Sequence, residues 1–85
     1  MEIFIKSEPP EEIITLVEKE LTNREIQVLH LASQELTNKE IAINFSISES
    51  TIRKHRENIY RKLGLKGKQA VRLFLRKFSK IYSNL

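Results

Sequence analysis

Apolar residues recur at three- and four-residue intervals along most of the chain, which is the pattern of amphipathic helices. The first two helices that this pattern predicts begin in the same way. Thr22 with Glu25, and Thr37 with Glu40, have the spacing of a capping box, in which each side chain binds a backbone amide beside the other. The sequence therefore predicts two successive helices, the first ending near residue 34 or 35 and the second with Ile41, Ala42 and Phe45 on its buried side.

A third helix is predicted at about residues 49–63, after a turn at 46–48. Ser48 is a favourable N-cap residue, and Gly64 can adopt the left-handed conformation that ends a helix. The apolar side of this helix consists of Ile52, Ile59 and Leu63. The short helix, the turn and the longer helix together have the layout of a helix-turn-helix, whose second helix enters the major groove of DNA.

The two ends of the chain add one helix each. The last predicted helix begins near Lys68 and has a broad apolar face: Ala70, Val71, Phe74, Leu75, Phe78 and Tyr82. Residues 1–20 are predicted to form a linker or lead-in segment, with a β-prone start at residues 3–5, two prolines, and then a short, loosely attached helix. The expected fold is all-α: a four-helix helix-turn-helix domain at 21–85, preceded by a linker with a short extra helix.

The outward side of the third helix has the side chains that read DNA. Arginine and lysine pair with guanine, asparagine pairs with adenine, and glutamate accepts from cytosine. The predicted base or groove contacts are Arg53, Lys54, Glu57 and Asn58. The predicted phosphate contacts, near helix starts or further along the third helix, are Asn38, Lys39, Ser50, Thr51, Arg61 and Lys62. Arg56 lies closer to the apolar stripe, and packing along the core and contact with DNA are equally compatible with its position.

Charge is distributed unevenly along the chain. The net charge is +4, but residues 1–20 contain six acids and two bases, whereas from Arg53 onward eleven bases accompany the single acid Glu57. A basic surface of this kind is typical of phosphate binding, although membranes, RNA and acidic proteins are also bound by basic surfaces. The charge pattern therefore favours a nucleic-acid partner without deciding it.

The sequence gives little support for metal binding, catalysis or a membrane partner. The absence of cysteine excludes disulfides and thiolate metal sites, and His30 and His55 have no ligand partners at metal spacing, so both are interpreted as packed side chains. No nucleophile arrangement or phosphate-binding glycine loop is present, so we expect neither enzymatic activity nor a cofactor. With no apolar run near 20 residues and no signal-peptide pattern, we expect a cytoplasmic protein without a membrane partner.

Four blocks of the sequence resemble the LuxR/GerE/NarL-type DNA-binding domain. They are residues 21–25 (LTNRE), 37–42 (TNKEIA), 47–55 (ISESTIRKH) and 58–64 (NIYRKLG). The resemblance spans about residues 21–80 and implies a scaffold helix, a positioning helix, a recognition helix and a final helix for dimerisation. Two positions depart from the family pattern: Glu35 stands where a glycine commonly closes the first helix, and Glu57 stands where a polar or basic residue is common.

The resulting hypothesis is a sequence-specific transcription regulator that binds double-stranded DNA as a homodimer through its last helix. Leu73, on the charged side of that helix, is the predicted dimer contact. The chain fits both a stand-alone regulator and the output domain of a response regulator, and RNA polymerase is a further candidate partner. Two alternatives remain: region 4 of a sigma factor, and an interaction module that heterodimerises with a regulator without binding DNA.

Overall fold

The computed structural model describes residues 10–83, and the β-prone stretch expected at residues 3–5 lies outside this range. The described residues form helices and no strand, in agreement with the predicted all-α fold. The helices are α1 (Pro10–Glu20), α2 (Asn23–Ser33), α3 (Asn38–Phe45), α4 (Glu49–Lys62) and α5 (Gly67–Ser83). Each predicted helix is present, with ends that differ from the expected ones by one or two residues.

Local hydrogen bonds at the helix starts confirm the predicted caps. Thr22 and Glu25 form a complete capping box at α2, with distances of 2.9 and 3.1 Å, and Thr37 and Glu40 form one at α3, with distances of 2.8 and 3.1 Å. At α4 the Ser48 hydroxyl accepts from the Thr51 amide at 3.1 Å. These bonds satisfy amides that have no partner within their own helix, and they fix where each helix begins.

The ends of α2, α3 and α4 share one hydrogen-bond pattern. An amide just beyond each helix donates to the carbonyl five residues earlier, and the residue before that amide has positive φ. The three left-handed residues are Glu35 (φ 68°), Ser46 (φ 57°) and Gly64 (φ 72°). Glu35 thus takes the conformation of the glycine that it replaces, and the turn has the usual bonds at the cost of strain in a residue with a Cβ.

The helix α1 is part of the core. Ile13 and Val17, one turn apart, are 1% and 0% exposed, so the expectation of a loosely attached helix is wrong. The helix has a narrow apolar side that faces inward, while its acidic residues remain exposed. Burial raises the pKa of Tyr82 on α5, and the charge of Glu18 on α1 raises it further.

The remaining helices enclose a core that positions α4. Helix α4 packs against both α2 and α3, and α5 packs against α2. Ile52, Ile59 and Leu63 are buried, as their spacing predicts. His30 lies with its ring centre 5.0 Å from that of Phe78 and 4.5 Å from that of Tyr82, and burial lowers its pKa. The buried stripe of α4 leaves its opposite side at the surface.

Candidate nucleic-acid interface

The N-terminus of α4 presents a group of three hydroxyls. Ser48 Oγ lies 3.2 Å from Ser50 Oγ and 2.8 Å from Thr51 Oγ1, and both partner residues are exposed. The first turn of a helix has amides without intrahelical partners and a partial positive charge, which together favour an anion. Ser50 and Thr51, both predicted phosphate contacts, therefore lie where a phosphate oxygen is favoured.

Four predicted contacts form one exposed line along α4. Ser50, Lys54, Glu57 and Arg61 follow each other at intervals of four, three and four residues, so that they share one side of the helix over about 16 Å. This line lies opposite the buried stripe of Ile52 and Ile59. The structure therefore brings two cations, one carboxylate and one hydroxyl to the surface in a row.

Two further predicted contacts flank this line. Arg53 is exposed, and its NH1 lies 3.6 Å from Glu49 Oε2, in a pair that is too exposed to hold the guanidinium firmly. Asn58 is half-buried, and its Oδ1 accepts from Arg61 NH1 at 2.9 Å. That bond orients Arg61 while it leaves four of the five N–H groups of the guanidinium for other acceptors.

Arg56 joins the two helices of the helix-turn-helix. Its Nε donates to the Tyr60 hydroxyl at 2.9 Å, and its NH1 donates to Asn38 Oδ1, at the start of α3, at 2.8 Å. The guanidinium carbon also lies 5.7 Å from the centre of the Tyr60 ring. Arg56 thus packs along the protein, the first of the two interpretations that its position allowed. Asn38 uses its acceptor in this contact and retains two N–H donors beside the exposed Lys39.

Lys62 is paired with a buried carboxylate. Its Nζ lies 2.8 and 3.0 Å from the two carboxylate oxygens of Glu25, a residue that is only 5% exposed. Burial by itself raises the pKa of Glu25, but the hydrogen bonds from Lys62 and the Thr22 amide, together with the charge of Lys62, hold it below its ordinary value. Glu25 therefore caps α2 and links it to the end of α4 with one charged side chain.

Two large apolar side chains of the described residues are exposed. Leu73, the predicted dimer contact on α5, is 38% exposed, and Ile43 on α3, which the sequence did not single out, is 69% exposed. Residues 10–83 contain no group of histidine and acidic side chains that could hold a metal ion. Over the same range, no helix is both long and apolar enough to cross a membrane.

Comparison with protein families adds the deciding observation. The family described as bacterial regulatory proteins, luxR family, matches residues 19–75, which include α2, α3, α4 and the first half of α5. The chain belongs to this LuxR family. No curated protein and no solved structure matches the chain.

Membership confirms the resemblance that the four sequence blocks carry. The LuxR-family domain is a helix-turn-helix DNA-binding domain of transcription regulation, and the family is regulatory rather than enzymatic. Two contacts within the LuxR-family domain were not predicted from sequence: the Glu25–Lys62 pair and the Arg56–Asn38 bond. Each contact joins residues that are distant in sequence. The only local indication of either contact was that the polar residue Arg56 lies beside the apolar stripe of α4.

Proposed function

We propose that this domain recognises a specific double-stranded DNA sequence with α4 in the major groove, and that it regulates transcription as a homodimer. The observation that carries the proposal is the exposed line of Ser50, Lys54, Glu57 and Arg61, opposite the buried stripe of α4. The major groove of B-form DNA is wide enough to admit a helix, and each base pair presents a distinct set of donors and acceptors there.

The base contacts are assigned to the first two-thirds of α4. Lys54, at the centre of the exposed line, and Arg53, at its edge, are placed for the O6 and N7 acceptors of guanine, and Asn58 for adenine. Glu57 lies between the cations and is an acceptor for the amino group of cytosine. This carboxylate also repels phosphates, so it favours a register in which it faces a base edge.

The phosphate contacts are assigned to the ends of the two helices. Ser50 and Thr51 at the start of α4 use their hydroxyls and adjacent amides, and Asn38 and Lys39 at the start of α3 contribute in the same way. Arg61 reaches the backbone from the later turns of α4. Lys62, although predicted for phosphate, is left out of the proposed contacts because its ammonium group is bonded to both oxygens of Glu25.

Residues 21–85 are proposed as the DNA-binding domain, with residues 1–20 as the lead-in. Helix α1 lies in the lead-in, but its buried residues Ile13 and Val17 complete the core of the domain. Helix α1 is thus attached to the DNA-binding domain by its packing in the core as well as by the covalent chain. This arrangement suits either a stand-alone regulator or the output domain of a longer one.

The dimer is proposed to form through α5. Leu73 is an exposed apolar side chain on a surface that is otherwise rich in lysine and arginine, and contact with a second copy removes it from water. A two-fold dimer places two α4 helices about 34 Å apart, which matches one turn of DNA. The preferred site then consists of two inverted half-sites.

Leu73→Glu is expected to shift the protein from dimer to monomer, because a carboxylate replaces the apolar contact and lies near its own symmetry mate. Sedimentation equilibrium at tens of micromolar measures the mass. Ile43→Glu is the matched control, since it introduces the same charge at the other exposed apolar residue and leaves the dimer intact. An unchanged mass for Leu73→Glu would contradict the assigned interface.

Selection of bound duplexes from a random pool tests the proposed function. We expect enrichment of one motif in two inverted copies, with centres separated by about 10 base pairs. Recovery of duplexes without any shared motif would show that the domain binds DNA without reading its sequence. Enrichment of a single copy of the motif would support sequence recognition and would contradict the dimeric arrangement.

A further inference from the structure

A groove runs between the C-terminal half of α4 and the N-terminal half of α5. It is open to solvent and has a volume of about 730 Å³. Tyr60, Leu65, Val71 and Leu75 line it with apolar surface, of which Leu65 is buried and the other three are half-buried. The groove thus presents apolar surface that the domain itself does not fully cover.

The rim of this groove is strongly basic. Arg61, Lys66, Lys68 and Arg72 are exposed along its two sides, and Glu57 is the acidic residue that lines it. Cations close to an apolar surface favour a ligand that is both acidic and apolar, because such a ligand satisfies the charges while it buries the floor. Neither a basic peptide nor a purely polar anion meets both conditions.

The shape of the groove favours a helix over a small molecule. Small-molecule sites enclose most of the ligand surface, whereas this groove is open along its length. It extends over about 8 Å of α4, from Arg56 to Arg61, and over about 10 Å of α5, from Lys68 to Leu75. That length accommodates apolar residues at positions i, i+3, i+4 and i+7 of a bound helix.

We propose that the α4–α5 groove is a docking site for an acidic amphipathic helix of a partner protein. A second copy of this domain is a poor occupant of the groove, because its α5 contains no acidic residue that could pair with the rim cations. The partner helix places leucine-like residues on Val71 and Leu75, and glutamate or aspartate beside Lys68 and Arg72. The partner helix is defined by its pattern of acidic and apolar residues and not by one particular sequence.

Docking at this groove opposes DNA binding. Glu57 and Arg61 line the groove and also belong to the exposed line of α4, so an occupied groove removes part of the proposed DNA surface. The acidic residues of the partner helix also repel phosphates nearby. This consequence rests on the proposed function, whereas the docking itself does not.

Fluorescence anisotropy with a labelled peptide tests the docking directly, without DNA. The probe is a helical peptide of about 16 residues with leucines at alternating three- and four-residue spacing and glutamates between them. A scrambled peptide of the same composition has the same charge but no apolar face. We expect the 85-residue chain to bind the helical peptide at least about tenfold more tightly than the scrambled one in buffer with about 0.1 M salt.

Two charge-reversal variants locate the site. Lys68→Glu with Arg72→Glu is expected to weaken peptide binding about tenfold or more, because both cations lie at the rim. Arg76→Glu with Lys80→Glu makes the same change of charge at the same spacing on α5, outside the groove, and should change binding less than about threefold. Circular dichroism of each variant confirms that the helices are retained.

Three results would overturn the docking proposal, and a fourth would contradict only the overlap with the DNA surface. Equal binding of the helical and scrambled peptides, or equal effects of the two double variants, would show attraction by charge alone. Self-association of the chain that is lost in Lys68→Glu with Arg72→Glu but retained in Leu73→Glu would assign the groove to a second copy. If the peptide binds in the groove but does not displace a duplex, the docking site stands, and the overlap with the proposed DNA surface is contradicted.

Discussion

Lys54→Ala is expected to weaken binding to the selected duplex by about 1–3 kcal/mol, which is roughly a 5- to 150-fold rise in Kd. Lys54 lies at the centre of the exposed line on α4, where its ammonium group is placed for a base edge in the major groove. The loss should be concentrated on the selected sequence, with a much smaller loss on unrelated duplexes. Titration of both duplexes with the variant and the original protein measures the two changes.

The comparison of the two duplexes separates two roles for Lys54. Loss of affinity on the selected duplex alone identifies a base contact, whereas an equal loss on every duplex identifies a phosphate contact. Lys80→Ala is the matched control, because Lys80 is an exposed lysine on α5, outside the proposed interface. An unchanged affinity of Lys54→Ala for both duplexes would contradict the placement of α4 in the groove.

Glu25→Ala is expected to destabilise the fold by about 1.5–3 kcal/mol, a large share of the stability of a small domain. The change removes the hydrogen bond from the Thr22 amide to the Glu25 carboxylate, and it leaves the ammonium group of Lys62, whose side chain is 32% exposed, without its carboxylate partner. Urea unfolding monitored by circular dichroism measures the loss.

Glu40 provides a matched control within the same chain. It occupies the equivalent position of the second capping box, with nearly identical bonds to Thr37, but it is exposed. Glu40→Ala should therefore cost only the hydrogen bond from the Thr37 amide, about 0.5–1 kcal/mol. Equal losses for the two variants would show that the Glu25–Lys62 pair adds nothing to stability.

The pH dependence follows from the lowered pKa of Glu25. Its ordinary value is 4.5, and the folded value lies below it, so the unfolded chain takes up this proton first as the pH falls. The contribution of Glu25 is full above about pH 4.5 and is lost as the pH falls through the folded pKa. The difference in stability between Glu25→Ala and the original protein should narrow across that range.

The helix boundaries could be predicted because their signals are local. Each capping box lies within four residues, and Gly64 ends α4 through its own backbone conformation. Glu35 illustrates the limit of this approach. The sequence showed only that a glycine is missing at this turn, whereas the structure shows the usual cap bond together with the strain of a positive φ.

Contacts between distant residues could not be predicted in the same way. The side chains of Lys62 and Glu25 lie 37 positions apart in the chain, and only the packing of α4 on α2 brings them together. The sequence shows only that Lys62 is a cation in the last turn of α4, a position that favours contact with backbone phosphate. Likewise, the apolar residues of α1 are visible in the sequence, but nothing local shows that Ile13 and Val17 pack against the other helices.

The most direct test of the central claim is the salt dependence of duplex binding. If Lys54, Arg61 and their neighbours on α3 and α4 face DNA, each domain displaces several counterions, and the logarithm of the association constant should fall with the logarithm of salt concentration. We expect a slope of about −2 to −4 per domain, from two to four charged contacts. A slope near zero, or no binding at about 50 mM salt, would contradict the claim that this face of α4 binds DNA.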